Sequence, residues 1–402
     1  MMGTQKARAD EFKMTPSFTI KEQYIDNLFF ATSEVKRDFV STFSPGLAIT
    51  DRTERMDLMV SGRLDERLYS KDTEFNATDQ YYEGTGRYAV TPRLSVSGRA
   101  LYSLDSRPGR DIETSGLPLT AVQRVRQNYT TSADYMLTDK TTATITYDYL
   151  NDHYDNPSFI DMEANTVNLG LAHSLSWFTK PTKARLNLTY MKYSIPTPTL
   201  PSMKVETYEA TVGIERAINE KWNLVLNGGG RYSQSTFSFI DRGERRLGFI
   251  PPFLFYYYYL PVQREQRNTD WGAVGNLSLT YKGERSNADL SISHDVMPGG
   301  GSVGATERTF FTLNASRQLT YELSLRLWAG YYTNRSGKGQ FSNFKVDQNT
   351  LTINPGIVYE FTKDMSIDLS YTYTRIWLNV AHTEAERNMI QAIFKVQHHL
   401  FE

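Results

Sequence analysis

The sequence predicts an all-β fold, a transmembrane antiparallel up-and-down β-barrel, and three observations carry the prediction. Side chains alternate between apolar and polar along most of the chain. In residues 365–374, Met365, Ile367, Leu369, Tyr371 and Tyr373 interleave with Ser366, Asp368, Ser370, Thr372 and Thr374. Successive strand residues point to opposite faces, so each stripe is one face of a strand. The polar face is rich in Ser, Thr, Asn, Asp and Arg, while the apolar face often ends in Tyr or Trp, which suits lipid outside and water inside. Short polar turns alternate with long segments, the rhythm of periplasmic turns and extracellular loops. About 18 strands follow, with 16 as the alternative and both chain ends on the turn side.

The tight turns fall at 51–53, 91–92, 138–140, 180–182, 219–221, 283–285, 320–322 and 362–364, most of them polar or carrying Pro or Gly. The long segments are 25–42, 71–77, 105–121, 152–160, 195–203, 238–266, 295–306, 333–346 and 378–386. The lipid face takes Met56, Leu58 and Val60, then Leu94, Val96 and Tyr102, then Ala143, Ile145, Tyr147 and Tyr149. It continues through Val167, Leu169, Leu171 and Leu175, through Ala184, Leu186, Leu188 and Tyr190, and through Tyr208, Ala210, Val212 and Ile214. Trp222, Leu224, Leu226, Trp271, Leu277, Leu279, Tyr281, Leu323, Leu325, Leu327 and Tyr331 complete it. Pro45-Gly46 and Pro355-Gly356 predict a bulge or kink, because proline removes a ladder donor. The last strand places Ile390, Ala392, Phe394, Val396, His398 and Leu400 on one face and nears its end at Phe401. An aromatic-ended final strand resembles the insertion signal of outer-membrane barrels, although Glu402 follows the aromatic.

No composition break divides the 402 residues, so residues 15–402 read as one barrel domain behind an N-terminal segment, 1–14. Ala7-Arg8-Ala9 resembles a signal-peptidase site without an apolar stretch before it, and is either the remnant of a leader or a chance match. The net charge of −1, from 44 basic and 45 acidic residues, argues against a nucleic-acid partner. Mean hydropathy is −0.48, and no run approaches the ~18 apolar residues of a membrane helix. Barrels escape that test, because only every second residue meets lipid. With no cysteine, the chain has no disulfide, thiolate metal site or attached c-type haem. The 26 tyrosines suit the two membrane interfaces, where an apolar ring meets a wet hydroxyl.

The candidate pore-lining residues are Arg63, Arg67, Arg87, Arg99, Arg185, Arg231 and Arg326, with Asp134, Asp148, Glu209, Asp289 and Asp368. Such charges either set ion selectivity or pair across strands and hold the wall together. Their near balance argues against strong selectivity for either sign. Segment 238–266 begins with charge, including Arg242, Arg245 and Arg246. It then turns aromatic through Phe253, Phe255, Tyr256, Tyr257, Tyr258 and Tyr259. So apolar a stretch either extends a strand into the outer interface, folds into the mouth as a constriction, or offers ring faces to sugars. None of the six histidines stands in a nucleophile–base arrangement, so no catalytic residue, metal or cofactor is expected.

Near the start, Tyr24-x-Asp26-Asn27-x-Phe29 is followed by Ser44-Pro45-Gly46-Leu47. This resembles the opening of the β-barrel porin 2 family of bacterial outer-membrane proteins, whose relatives lie beside exopolysaccharide and exosortase systems. The resemblance implies a non-enzymatic pore in the outer membrane of a Gram-negative envelope. It passes solute or polymer, most readily exopolysaccharide, and has lipid, polysaccharide and periplasmic export components as partners. A general diffusion porin is the first alternative. A sheath around a multihaem cytochrome is the second. Asp26 and Asn27 are expected to form an Asx-type turn leaving the first strand.

Overall fold

The computed structural model describes residues 11–400 except 118–120, 157–158, 196–201, 242, 244, 251–253, 261, 300–303 and 343–344. The first strands are β1 (Glu11–Ile25), β2 (Asp38–Arg52), β3 (Met56–Tyr69), β4 (Ala77–Thr91) and β5 (Leu94–Asp105). After the short helix α1 (Ile112–Ser115) come β6 (Arg124–Thr138), β7 (Thr141–Tyr154), β8 (Met162–Ser174), β9 (Thr182–Ile195), β10 (Ser202–Ala217) and β11 (Trp222–Asp241). A hairpin, β12 (Arg245–Ile250) and β13 (Leu254–Tyr259), precedes β14 (Val262–Lys282), β15 (Ser286–Pro298) and β16 (Ala305–Gln318). The chain closes with β17 (Leu323–Ser336), β18 (Val346–Thr362), β19 (Met365–Leu378) and β20 (Thr383–Gln397). Eighteen strands form one antiparallel sheet, with β12 and β13 paired separately. The barrel closes where β20 returns to β1, from Ser17↔Gln397 to Ile25↔Met389.

The ladder keeps like faces in register. Leu171↔Leu186 and Leu169↔Leu188 pair across β8–β9, and Leu277↔Ile292 across β14–β15. Two aromatic rows bound this outer band. One runs Tyr190, Tyr208, Tyr232 and Trp271 across four neighbouring strands, with ring centroids 5.1, 6.5 and 4.9 Å apart. The other includes Trp222 against Tyr281 at 4.8 Å. Trp222 and Tyr232 stand ten positions apart on β11. That is ~33 Å along a strand, and roughly 25 Å in height at ordinary barrel tilts, the depth of a membrane barrel's apolar band. Leu226 lies between the rows and is exposed. Leu226→Arg is expected to cost about 2–4 kcal/mol in urea unfolding from lipid vesicles. A change near zero would mean that this face does not meet lipid.

The polar segment after β1 fastens the seam between the two chain ends. The backbone N–H and side-chain amide of Asn388 both donate to the Asp26 carboxylate, at 2.7 Å each. The Asn27 amide donates to the Ala31 and Glu386 carbonyls at 2.9 Å, and its oxygen accepts from the Ala31 N–H at 2.9 Å. Asn27 thus closes the turn and ties it to β20. Asn27→Ala leaves the Glu386 carbonyl without that donor and is expected to cost about 1–3 kcal/mol. The readout is the temperature at which the folded band on an electrophoresis gel converts to the unfolded one. An unchanged temperature would show that closure does not depend on the clasp.

Two local expectations need correction. At Pro45 and Pro355 the register continues without a shift. Ser44-Pro45 and Asn354-Pro355 drop out of the ladder on one side only. The missing N–H therefore removes a bond without adding a residue. Register shifts fall instead beside tight turns, at 89/91, 136/138 and 360/362. The turn expected at 180–182 spans the whole interval between β8 and β9, which places Leu175 outside the strands.

Candidate functional site

The loop between β5 and β6 crosses the lumen. Ser106 leaves the wall with its N–H and hydroxyl donating to Asp79 Oδ1, both at 3.0 Å. Gly109, at φ +67°, turns the chain inward, and Arg110 Nη1 ties it back through the Asp105 and Val122 carbonyls. One helical turn follows, ending at Gly116 with φ +70°, a left-handed helix end that glycine adopts without strain. The far wall receives that end. Asn334 on β17 donates to the Ser115 carbonyl at 2.8 Å, and Gln348 on β18 donates to the Gly116 carbonyl at 2.8 Å. The Thr350 hydroxyl donates to the same Gly116 oxygen. Ile112 is buried against Phe30, Ile376 and Ala385. The loop is therefore anchored on both sides of the bore by bonds to main-chain oxygens and by a small apolar contact.

A second obstruction stands beside it. The ladder between β14 and β15 stops at Gly275↔His294, although both strands continue. Val296 and Ala305 lie on the strand face that meets lipid lower down at Ile292 and Phe311. Here they are buried inside, with Met162, Tyr193, Met203, Val205, Phe237 and Phe341. The ends of β15 and β16 have turned into the barrel, away from β14. Arg231 joins the pieces: its side chain is 1% exposed and lies 2.8 Å from Asp270 and 3.3 Å from Glu307. Its guanidinium stands 5.1 Å from the Phe341 ring centroid. The guanidinium also lies against the bare backbone of Gly272, where a Cβ would stand 2.5 Å from Arg231 Nη2 and push the side chain aside.

The wall charges identified from sequence occupy inward register positions, most of them with a bonding partner. Arg63 lies 2.8 Å from Asp65, Arg99 2.7 Å from Glu83, Arg185 3.3 Å from Glu215, and Arg326 2.8 Å from Asp368. Arg67 pairs with Asp79 in a buried contact. Asp134 accepts from Thr144, and Asp148 accepts from Asn128 and Thr130. Arg87 faces Asp57, and Glu209 faces Arg231, across their ladders. Asp289 borders a lumenal recess of about 210 Å³ with Arg326 and Trp328. In segment 238–266, β11 and β14 extend as a ribbon that the β12–β13 hairpin caps. Arg246, Tyr257 and Tyr258 are exposed. Arg242 and Phe253, and the side chains of Arg245, Phe255, Tyr256 and Tyr259, lie outside the described residues.

Sequence reading did not single out Arg110, Asp111, Gly116 or Arg124. Arg124 Nη1 lies 2.8 Å from Asp111, and Arg126 Nη2 lies 2.6 Å from Asp152. Burial alone would raise the Asp111 carboxyl. Arg124, then Arg126 and Arg110, outweigh it and hold the group below the usual carboxylate range. A lowered value in the docked loop means that this charge supports docking above the ordinary aspartate value of about 3.9. The support disappears only as pH falls through the depressed value. Conductance is therefore expected to hold steady from neutral pH to about 4 and to rise below it as the loop loosens. A rise between pH 7 and about 5 would contradict this assignment.

A closed barrel satisfies every backbone group without an edge, and here the outside is apolar between aromatic rows while the inside is polar and charged. The chain has the architecture of a membrane-spanning β-barrel. No protein-family model matches its sequence, and no curated protein matches it. Among solved structures it is similar to OccAB4 of Acinetobacter baumannii, at 12% identity and TM-score 0.45, over 99% of this chain and 100% of that one. It is similar to the outer membrane protein OpdK of Pseudomonas aeruginosa, at 7% identity and TM-score 0.45, over 96% and 99%. The ferric-catecholate import receptor Fiu of E. coli K12 aligns at 8% identity and TM-score 0.49, over 98% and 82%.

Proposed function

We propose that this barrel is a passive pore for small hydrophilic solutes, with the β5–β6 loop as its constriction. The observation that carries the reading is that loop's attachment to the opposite wall at Asn334, Gln348 and Thr350. A barrel of 18 strands encloses a bore wide enough for an aqueous channel, so what passes is set by what fills it. The charged wall supports a wetted path, with the paired residues named above as its lining. Nothing in this role calls for chemistry on the solute, which makes the protein a conduit and not an enzyme.

The motif Tyr24-x-Asp26-Asn27-x-Phe29 supports a place beside the β-barrel porin 2 proteins, and with it a link to exopolysaccharide export. A polymer chain would have to pass the β5–β6 loop anchored on the far wall, so export on this reading requires the loop to swing aside. A cytochrome in the bore meets the same obstacle. Planar-bilayer recording of the purified barrel tests the proposal. Small, salt-dependent conductance steps support a constricted pore. Absence of any conductance, with a haem protein co-purifying, would replace it with the sheath.

A further inference from the structure

Below the lumen-crossing loop lies a cavity of about 170 Å³, bordered by Lys21, Arg67, Arg107, Arg110, Arg387 and Gln391. Five cations at one recess are unexpected in a chain whose charges nearly cancel. The nearby carboxylates are already engaged. Asp65 lies 2.8 Å from Arg63, Asp105 lies 3.0 Å from Arg107, and Asp79 holds Arg67 and Ser106. Asp111 faces Arg124, 2.8 Å away, and is 3.8 Å from Arg110. Arg387 lies over the Phe30 ring at 4.0 Å. Among the described residues, no carboxylate comes within ion-pair distance of the Lys21 ammonium. The Arg110 side chain is 1% exposed. Its Nη1 serves two carbonyls, but its Nε and Nη2 are buried with no hydrogen-bond partner among the described residues. The Arg110 guanidinium lies 5.8 Å from the Tyr154 ring centroid and also borders the cavity, where its buried donors favour an anionic acceptor.

We propose that this cavity binds one small free oxyanion, phosphate or a short carboxylate, between Lys21 and Arg110. It would give the pore an anion preference that the balanced wall as a whole does not supply. The volume falls well below the ~300 Å³ at which pockets begin to take drug-sized ligands, so the occupant is a small ion. The selectivity half of the proposal rests on the pore reading, while the binding half stands without it.

The test uses the full barrel refolded in detergent, with thermal unfolding followed in inorganic phosphate, in succinate, and in chloride at equal ionic strength. Phosphate and succinate are expected to raise the unfolding temperature and, in bilayers, to reduce the current at millimolar concentration. Lys21→Gln is expected to weaken both effects roughly tenfold or more, the loss of one charge-assisted hydrogen bond. Lys21→Arg, which keeps the charge, is expected to retain them. Equal protection by chloride, or an undiminished phosphate effect in a folded Lys21→Gln barrel, would overturn the site. Protection by an acidic oligosaccharide alone would overturn the assignment to a free small anion. Conductance without any phosphate effect removes the site and leaves the pore. Protection without conductance removes the pore and leaves the site.

Discussion

The Gly116→Val barrel is expected to carry several times the current of the native barrel while staying folded. Gly116 sits at φ +70°, and a Cβ there would lie 2.5 Å from the Cβ of Tyr332. Backbone and neighbour both refuse the side chain, and Tyr332 is itself buried in the wall and cannot give way. The loop end must therefore leave its berth, releasing the bonds from Asn334, Gln348 and Thr350. Those bonds join a loop to a wall already paired strand by strand, so their loss opens the bore without opening the barrel. Single-channel recording reads the effect, and gel mobility before and after heating checks the fold. Native-sized conductance from a folded variant would mean that the loop end does not limit flow.

A clear loss of stability is expected from Arg231→Met. Removing this buried cation leaves Asp270 and Glu307 without their shared partner, next to Glu209 on the adjoining strand. Asp270 and Glu307 keep 29% and 31% of their side-chain surface exposed, and Gln340 and His294 remain 3.2 and 3.0 Å from them, so the expected cost is about 1.5–3 kcal/mol, below that of a fully buried pair. Here the cost falls on the junction where Arg231 of β11 links Asp270 of β14 to Glu307 of the inturned β16 end. The midpoint of urea unfolding should drop accordingly. Adding Asp270→Asn and Glu307→Gln to Arg231→Met should restore most of the loss, since neutral partners need no counter-charge. A loss below about 1 kcal/mol in the single variant would show that water already screens the cluster.

The wall of this protein was legible because its physics is local. Leu186, Leu188 and Tyr190 declare an outer face within five residues, and Asn187 and Thr189 declare the inner one. The filling of the bore was not legible for the opposite reason. Ser115 meets Asn334 across 219 positions of sequence, and Gly116 meets Thr350 across 234. No periodicity marks such a pair, and segment 105–121 looks like any other polar loop. One signal was present at the loop end of β9. There Met191, Tyr193 and Ile195 are apolar on the face that Asn187 and Thr189 share. A membrane strand that turns apolar on its inner face needs something inside to cover it. The inturned β15–β16 ends and Phe341 are that cover. Segment 238–266 drew attention by composition, yet the loop anchored across the bore is a different one. Asp26 and Asn27 stood out as a motif, but their place at the seam follows only from the return of β20.

The account turns on whether the β5–β6 loop rests on the far wall and limits flow there. Ile112 on the loop and Ile376 on β19 are packed together, and the chain contains no cysteine of its own. Cysteines at these two positions in an otherwise native barrel, bridged by a short thiol-reactive cross-linker, test the point directly. The account expects efficient cross-linking. It also expects a conductance that stays at the native level as pH falls below about 4, over whatever range the unlinked barrel opens. Failure of the pair to cross-link in a folded barrel, or equal acid-induced opening with the bridge in place, would contradict it.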